Sequence, residues 1–407
     1  MTDLAAIRDA AALLRGVVHR TPLTPSATFT RLVGAPVHLK TENLQRSGSF
    51  KIRGAYVRIQ RLGAAERGKG VVAASAGNHA QGVALAAASA GLKATIVMPR
   101  HASMAKVVAT EGYGALVLLE GENYDEAAAR AEALAAETGA TYIHAFDHPD
   151  VIAGQGTVGL EIAEDLPEVG MVVVPVGGGG LVSGVAVAVK GLRPAARVVG
   201  VQAEGAAAFV ASRRAGELVA LETPGSIADG IVVKRPGSLT FEIVQRLVDD
   251  LVTVSDEEIA STILLCLERG KILVEGAGAA ALAALLHGRV KPHPAPAVAI
   301  LSGGNIDINV LTRILGKGLA KAGRYLQLEV PVMDRPGALK ALLAVVAEQQ
   351  ANVVSVSHDR LDPPVPVDRV EVYLTLETRD AAHARSVLKA LRRHGYPVRR
   401  RAGPAED

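Results

Sequence analysis

The 407-residue sequence has a single cysteine and no tryptophan, and aromatic residues make up only 3% of it. One thiol cannot form a disulfide within the chain. This cysteine, Cys266, lies among Ile263, Leu264 and Leu267, which predicts a small core residue rather than a reactive group. The richness in alanine, glycine and valine is typical of a soluble, helix-rich enzyme, and we expect a cytoplasmic location.

The sequence also lacks an excess of charge and a long hydrophobic run. Its 44 basic and 41 acidic side chains give a net charge of +3, which offers no electrostatic basis for binding a nucleic acid or an anionic membrane. No apolar run is long enough to span a membrane, and the initial segment MTDLAAIRDA does not resemble a signal peptide. With 49% hydrophobic residues, the chain can bury large cores in two or three domains.

From residue 37 onward, short apolar runs alternate with amphipathic or alanine-rich helices. Continuous apolar strands separated by helices indicate an α/β fold with parallel sheets covered on both faces. Residues 1–322 are too many for one sheet, so we expect two lobes with a cleft between them. The runs predicted as strands read VHLK, GVVAAS, KATIVMP, ALVLLE, TYIHAF, MVVVPV, RVVGVQ and AVAILSGGN.

Three polar, glycine-rich stretches directly follow predicted strands: SAGNHAQG, VGGGGLVSG and SGGN. Ligands of α/β folds bind beyond the carboxyl ends of the strands. We therefore expect all three stretches to face the cleft.

The pattern changes near residue 324, where YLQLEVPV alternates with period two as a half-exposed antiparallel strand does. DRPGALKALLAVVAEQQ then predicts a helix with Pro336 in its first turn. Two further strands, NVVSVSHDRL and RVEVYLTLE, flank the hairpin loop DPPVPVD, and a second helix precedes a short last strand, YPVRRR. The order βαββαβ predicts a separate ferredoxin-like domain over residues 324–407.

The stretch VVVPVGGGGLVSGVAVAV predicts a strand, a glycine loop and a helix. Backbone N–H groups of such a loop, together with the start of the helix, can bind a phosphate. The loop lacks the Gly-Lys-Ser/Thr ending of a nucleotide-binding P-loop, and its glycines do not fit the dinucleotide pattern G-x-G-x-x-G. Two alternatives stay open: the loop binds a nucleotide whose ribose is bound by Glu204, or it is a glycine-rich turn without any ligand.

The stretch SGSFKIRGA, residues 47–55, predicts the start of a helix that Ser47 or Ser49 caps. Arg53 belongs to the polar face of that helix, opposite its apolar side chains. Lys51 is then either a solvated helix charge or a nucleophile. A phosphate-binding loop, a candidate nucleophilic lysine and no metal-ligand cluster together favour a phosphorylated cofactor that forms an imine, and pyridoxal phosphate fits this description.

The motifs SGSFKIRGA, SAGNHAQGVA, VGGGGLVSG and SGGN, in this order and at these separations, resemble those of the β-family (fold type II) of pyridoxal-phosphate enzymes. Within it the chain is most similar to threonine ammonia-lyases (threonine dehydratases) and serine racemases, which also share SIADGIVVK and VIAGQGT. The resemblance covers about residues 10–320 and implies a small lobe, about 46–145, inserted in the large lobe. The tail, with DRPGAL, resembles an ACT domain, the effector-binding module of many amino-acid enzymes.

The resemblance implies the following roles. Lys51 holds pyridoxal 5'-phosphate covalently and removes the substrate Cα proton; Asn78 binds the ring hydroxyl; Ser302 faces the pyridine nitrogen as a neutral group, which favours elimination over transamination. The cofactor phosphate is expected on the backbone of Gly177, Gly178, Gly179, Gly180 and Leu181. The substrate is expected on Ser75, Ala76, Gly77, Asn78, His79 and Phe146. For His79 a solvent-facing position is the alternative.

The expected reaction is the dehydration and deamination of L-threonine to 2-oxobutanoate and ammonia, with L-serine giving pyruvate as a secondary activity. Racemases of the family have a serine at the position of Ala76, which has no acid or base to offer. The first acidic ligand of their cation site matches Glu204, but the second falls near Val210, so we expect no metal. Serine or 3-hydroxyaspartate lyase activity, racemisation, β-replacement and a non-catalytic amino-acid sensor stay open, as do catabolic and isoleucine-forming roles.

For the tail, the resemblance implies binding of an effector such as isoleucine or valine at the loop after its first strand. The expected contact residues are Asp334, Arg335, Pro336 and Gly337. ACT domains usually pair through their sheets, so we expect a homodimer or homotetramer. A tail that only holds subunits together is the alternative.

Overall fold

The computed structural model describes residues 2–291, 293–359 and 366–402. The chain divides into two compact units, Met1–Asp307 and Ile308–Asp407. The first four residues of the predicted hairpin loop DPPVPVD, and the last two of the predicted strand before it, lie outside the described residues.

The strands of the described residues are β1 (Leu23–Pro25), β2 (Val37–Lys40), β3 (Val71–Ala74), β4 (Ala94–Met98), β5 (Leu116–Leu119), β6 (Thr141–Tyr142), β7 (Met171–Pro175), β8 (Arg197–Ala203), β9 (Asp250–Val254), β10 (Ala297–Ile300), β11 (Tyr325–Met333), β12 (Asn352–Asp359), β13 (Arg369–Glu377) and β14 (Arg399–Ala402). The α-helices are α1 (Leu4–Leu14), α2 (Ala27–Val33), α3 (Lys51–Gln60), α4 (Ala64–Arg67), α5 (Asn78–Ser89), α6 (Met104–Gly112), α7 (Tyr124–Thr138), α8 (Pro149–Asp165), α9 (Gly180–Leu192), α10 (Ala208–Ala215), α11 (Ser238–Leu247), α12 (Asp256–Leu265), α13 (Gly276–Leu286), α14 (Ile308–Lys321), α15 (Ala338–Glu348) and α16 (Ala381–Arg393).

The larger sheet of the first unit has the strand order β1-β2-β10-β7-β8-β9. All neighbours are parallel except β1, which runs antiparallel to β2. The central strand β7 is buried along its whole length, as a parallel strand between two helical layers must be. The edge strands β1 and β9 were not predicted, because both are partly exposed and β9 begins with an aspartate.

The smaller sheet of the first unit is wholly parallel, in the order β5-β4-β3-β6. Its last strand is shorter than predicted, since TYIHAF forms only the two-residue strand β6. Helices α3 and α5 pack on β3 and β4 through a core that includes Ile52, Val83 and Ile96. The predicted α/β class with parallel sheets is confirmed.

Three sheet strands end in the glycine-rich motifs. The strand β3 leads to Ser75, β7 leads to Gly177, and β10 leads to Ser302, and all three residues line one cavity. The prediction that these motifs share a cleft is therefore confirmed. Cys266, predicted as a core residue, is fully buried where α12 continues as a π-turn.

The second unit has an antiparallel four-stranded sheet in the order β12-β13-β11-β14. Helices α15 and α16 pack on one face of it, through side chains such as Leu342 and Leu391. This arrangement confirms the predicted βαββαβ domain. Pro336 is not in the first turn of α15, which begins at Ala338 after Gly337, a residue with φ of +87°.

None of the helices in the described parts of the chain combines the length and the apolarity that crossing a membrane requires.

Candidate active site

A cavity of about 960 Å³ lies in the first unit, beyond the carboxyl ends of both sheets. Each residue for which the sequence predicted a cofactor or substrate contact lines it. These are Lys51, Ser75, Ala76, Gly77, Asn78, His79, Phe146, Gly177, Gly178, Gly179, Gly180, Leu181 and Ser302. The cavity is therefore the candidate active site.

Lys51 is the first residue of α3, and the residue before it, Phe50, occupies the cap position without a side-chain hydrogen bond. The predicted capping by Ser47 or Ser49 is wrong. The Ser47 hydroxyl donates to the Ser49 carbonyl, and Ser49 forms a β-bridge with Gly303. The Phe50 N–H donates to the Ser302 carbonyl at 3.2 Å. The start of α3 is thus attached to the loop after β10, which an analysis of local capping patterns does not detect.

The Lys51 amine donates a hydrogen bond to the Ala145 carbonyl at 3.2 Å and lies 5.2 Å from the centroid of the Phe50 ring. Burial lowers the pKa of Lys51 to about 8, and the carboxyl group of Glu275 partly opposes this shift. A lysine amine in water has a pKa near 10.4. Lys51 is therefore available as a neutral base or nucleophile at a much lower pH than a solvated lysine.

Arg53 does not lie on a solvated face of α3, contrary to prediction, and is only 1% exposed. Its guanidinium donates to both carboxylate oxygens of Glu42 at 2.8 and 2.9 Å and to those of Glu161 at 2.7 and 3.1 Å. Lys40 donates to the same Glu161 at 2.5 Å. This buried cluster of two cations and two carboxylates attaches α3 to α8 and so fixes the helix that carries Lys51.

The glycine loop joins β7 to α9 at the cavity wall. Gly179 has φ of +95°, where glycine is strongly favoured. A Cβ on Gly178 would collide with the Phe146 ring, and one on Gly180 would lie 3.0 Å from the Phe146 backbone. The loop is thus a cradle that side chains would fill, and the first N–H groups of the 13-residue helix α9 lack partners within that helix. These features fit a bound phosphate.

Asn78 lies in a hydrogen-bonded chain of side chains. Its Nδ2 donates to Glu275 Oε1 at 2.6 Å, and its Oδ1 accepts from Asn305 Nδ2 at 2.8 Å. Asn305 Nδ2 also donates to the Ser47 carbonyl at 2.8 Å. Glu275 and Asn305 were not predicted as site residues, although Asn305 is the last residue of the SGGN motif. The sequence signal that could have identified Glu275 is its position, as an acidic residue immediately before the glycine- and alanine-rich helix α13.

The predicted substrate loop, residues 75–79, leads into the start of α5. The Ser75 hydroxyl accepts from the Gly77 N–H at 3.1 Å, which shapes the turn. His79 does not face solvent: it is 4% exposed, its Nε2 lies 2.8 Å from the Ile143 carbonyl, and burial lowers its pKa to about 3. Because the neutral ring donates to Ile143, only the backbone N–H of His79 is left for a substrate carboxylate.

A second histidine, His144, lines the cavity and was missed. Its Nδ1 accepts the backbone N–H groups of Phe146 at 3.2 Å and Asp147 at 2.8 Å. The proton of the neutral ring is therefore on Nε2, and burial lowers the pKa of His144. Its ring meets the Phe146 ring edge to face, with centroids 4.7 Å apart. His144 is thus a fixed hydrogen-bond donor beside Phe146, a predicted substrate contact.

Glu204, considered as a cation ligand, is half-exposed and lies 3.6 Å from the Arg289 guanidinium. Among the residues that the structure describes, no group of three or more acidic, histidine or cysteine side chains is arranged to hold a metal ion.

The family of pyridoxal-phosphate dependent enzymes matches residues 14–303, and the ACT domain family matches residues 324–395. The chain therefore belongs to the pyridoxal-phosphate dependent enzymes, and its cofactor is pyridoxal 5'-phosphate. Both predictions made from the sequence motifs are confirmed, as is the ACT domain.

Among individual relatives, the L-threonine ammonia-lyase of Thermotoga maritima is 51% identical over 399 residues, which cover 98% of this chain and 99% of that protein. The structure of maize serine racemase is similar with a TM-score of 0.74 and 38% identity, over 78% of this chain and 98% of that one. The structure of the processed form of threonine deaminase isoform 2 from Solanum lycopersicum is similar with a TM-score of 0.73 and 37% identity, over 77% of this chain and 87% of that one.

Proposed function

We propose that the protein is a pyridoxal-phosphate-dependent ammonia-lyase that converts L-threonine to 2-oxobutanoate and ammonia, and L-serine to pyruvate more slowly. The observation that carries this proposal is the meeting of Lys51, the glycine loop and Ser302 in one cavity. The chain is also 51% identical, over nearly its full length, to an L-threonine ammonia-lyase.

When bound, the cofactor supplies an aldehyde that bonds to amines and a ring that withdraws electrons from the substrate Cα. Lys51 Nζ would hold the cofactor and, as a neutral amine, would accept the substrate Cα proton. The N–H groups of Gly177–Leu181 bind its phosphate, and an N–H of Asn78 binds its ring oxygen. Ser302, which is 3% exposed, would face the ring nitrogen with a neutral hydroxyl group, and this would favour loss of a group from Cβ.

The backbone at residues 75–79 receives the substrate carboxylate at the start of α5, where the N–H groups favour a negative charge. Phe146 packs against the methyl group of threonine. The Nε2–H of His144 is a donor for the departing hydroxyl group.

Dehydration is favoured over racemisation because Ala76 carries no acid or base. Racemisation requires a group that returns a proton to the face of Cα opposite Lys51. The half-buried methyl group of Ala76 cannot do so.

The test is a 2-oxo-acid assay over L-threonine, L-serine and 3-hydroxyaspartate, without a second substrate. We expect steady release of 2-oxobutanoate and ammonia from threonine, which a β-replacement enzyme or a non-catalytic sensor would not give. Lys51→Ala should abolish turnover and the visible absorbance of the bound cofactor, while Lys69→Ala, at an exposed lysine, should change neither. No ammonia from threonine, or appreciable D-serine from L-serine, would refute the proposal.

For the ACT domain we propose feedback by isoleucine or valine at Asp334, Arg335, Pro336 and Gly337. This loop is exposed and leads into α15, whose first N–H groups can receive a carboxylate. The strand β12, an exposed edge of its sheet, supplies the pairing surface of a homodimer or homotetramer. The cytoplasmic location stays a prediction from composition.

Gly337→Asp tests the regulatory proposal, because it adds a negative charge where the effector carboxylate would bind. Gly395→Asp is the matched control, since both glycines have positive φ and open space around them. We expect the branched-chain amino acids to change the apparent threonine affinity by about 5- to 150-fold in the parent, and Gly337→Asp alone to abolish the change. If neither amino acid changes the apparent threonine affinity of the parent, the ACT domain serves only subunit assembly.

A further inference from the structure

Glu275 is a buried carboxyl group in the wall of the cavity, and the reaction proposed above assigns it no role. It is 4% exposed and precedes α13. Its one hydrogen bond through the side chain in the described part of the chain is the 2.6 Å bond from Asn78, and no described cation lies within ion-pair distance of it. A buried carboxyl group without a paired cation is costly. Its presence here therefore needs a reason beyond packing.

The hydrogen bonds around Asn78 fix which way its amide points. Asn305 Nδ2 faces the Asn78 oxygen, and Asn305 is itself held by the Ser47 carbonyl. On the other side, Glu275 Oε1 accepts one N–H of Asn78. A flipped Asn78 amide would set two donors against each other at Asn305 and place an oxygen against the carboxylate. The second N–H of Asn78 is thus left for the cavity.

We propose that Glu275 is a positioning residue of the active site. Its carboxylate holds the Asn78 amide so that an N–H, rather than an oxygen, meets the ring oxygen of the cofactor. Its negative charge also stabilises a positive charge on the Lys51 nitrogen. The inference rests on the proposed function, because it gives Glu275 a part in the same site.

Three charged side chains, those of Asp229, Lys106 and Lys51, affect the pKa of Glu275. Burial raises its pKa to about 7, and the nearby Asp229 adds to the rise, while the hydrogen bond from Asn78 and the cations Lys106 and Lys51 oppose it. Glu275 in turn raises the pKa of Lys51. When Glu275 loses its charge, the Lys51 nitrogen therefore gives up its proton at a lower pH.

Two conservative substitutions separate the hydrogen bond from the charge. Glu275→Gln keeps an oxygen that can accept from Asn78 but removes the charge. Glu275→Asp keeps the charge but is shorter by one methylene group, which breaks the 2.6 Å bond. Glu111→Gln, at an exposed carboxylate of α6, is the control for the loss of one negative charge.

The first measurements use no substrate: the dissociation constant of pyridoxal 5'-phosphate, and the pH at which the visible absorbance of the bound cofactor changes. We expect Glu275→Asp to weaken cofactor binding about tenfold, as the loss of a hydrogen bond to a charged group does, without moving the pH of the transition. Glu275→Gln should bind the cofactor within about twofold of the parent and move the transition to lower pH. Glu111→Gln should leave both unchanged.

Parent-like cofactor binding in Glu275→Asp, together with an unmoved transition in Glu275→Gln, would overturn the inference. Turnover is measured separately, and kcat of Glu275→Asp should fall with little change in KM, since the substrate carboxylate binds elsewhere. If the parent releases no 2-oxobutanoate from threonine, the proposed function fails. The cofactor measurements still decide the role of Glu275 in that case.

Discussion

Replacement of Arg53 by leucine should destabilise the first unit severely, because it leaves two carboxylates in the interior with one cation. The side chain of Arg53 makes six hydrogen bonds, four of them to Glu42 and Glu161. Without it, Lys40 is the one described cation still in ion-pair contact with either carboxylate. Removal of one partner from a buried ion pair costs about 3–5 kcal/mol. We expect a loss of about 4 kcal/mol near neutral pH, measured by urea denaturation with far-UV circular dichroism.

The effect should also depend on pH, and its sign follows from Glu42. Burial raises the pKa of this carboxyl, but the charges and hydrogen bonds of Arg53, Lys40 and Thr21 outweigh burial, so its pKa in the folded protein is lowered. In the parent, that stabilisation is present above the pKa of unfolded glutamate and is lost only as the pH falls through the lowered value. In Arg53→Leu the largest opposing interaction is gone and burial raises the Glu42 pKa. The variant should therefore recover part of its stability as the pH falls from 8 to 5.

Arg61→Leu is the matched control on the same helix. Arg61 pairs with Asp150 at 2.6 Å but is 30% exposed, and such pairs contribute about 1 kcal/mol or less. If Arg53→Leu loses no more stability than Arg61→Leu, or its deficit stays constant between pH 8 and pH 5, the account of the buried cluster is wrong.

Three further predictions concern the cavity and the core. Capture of pyridoxal 5'-phosphate by the apoenzyme should accelerate with pH around a midpoint near 8, since the neutral Lys51 amine reacts; a midpoint above 10 would contradict the buried lysine. Gly178→Ala should weaken cofactor binding about thirtyfold, because the new methyl group meets the Phe146 ring and overpacking costs about 2 kcal/mol. Gly112→Ala, with open space around it, should bind the cofactor as the parent does when both are titrated with it. Cys266, whose pKa burial raises to about 12, should resist thiol reagents at pH 8 and react once per chain after unfolding; rapid labelling of the native protein would place it at the surface.

The parts of the site that the sequence predicted are those that directly follow a recognisable strand. A buried apolar run followed by glycines or by a polar turn identifies the end of a parallel strand, and such ends meet at one edge of a sheet. For this reason Asn78, Gly178 and Ser302 could be assigned to one cleft without any distance being known. A different signal, the period-two pattern of β11 and the helix after it, predicted the βαββαβ domain.

The parts that were missed depend on partners far away in the chain. Arg53 was assigned to a polar face because helical periodicity considers only neighbours along α3, whereas its partner Glu161 is 108 residues away. Capping by serine failed for a similar reason, since the backbone at Phe50 is bound to Ser302 instead. Glu275 reaches Asn78 across 197 positions of sequence. No local pattern contains these pairs.

These long-range contacts together determine where Lys51 lies. The start of α3 is held by the loop after β10, through Phe50 and Ser302. One turn further, Arg53 fixes the same helix to α8, and the backbone of the two helices is so close that a Cβ on Gly154 would lie 2.6 Å from the Arg53 carbonyl. Two attachments on either side of one residue leave little freedom to move its backbone. A lysine that both holds a cofactor and accepts a proton needs a fixed backbone, because only its side chain then has to move between the two tasks.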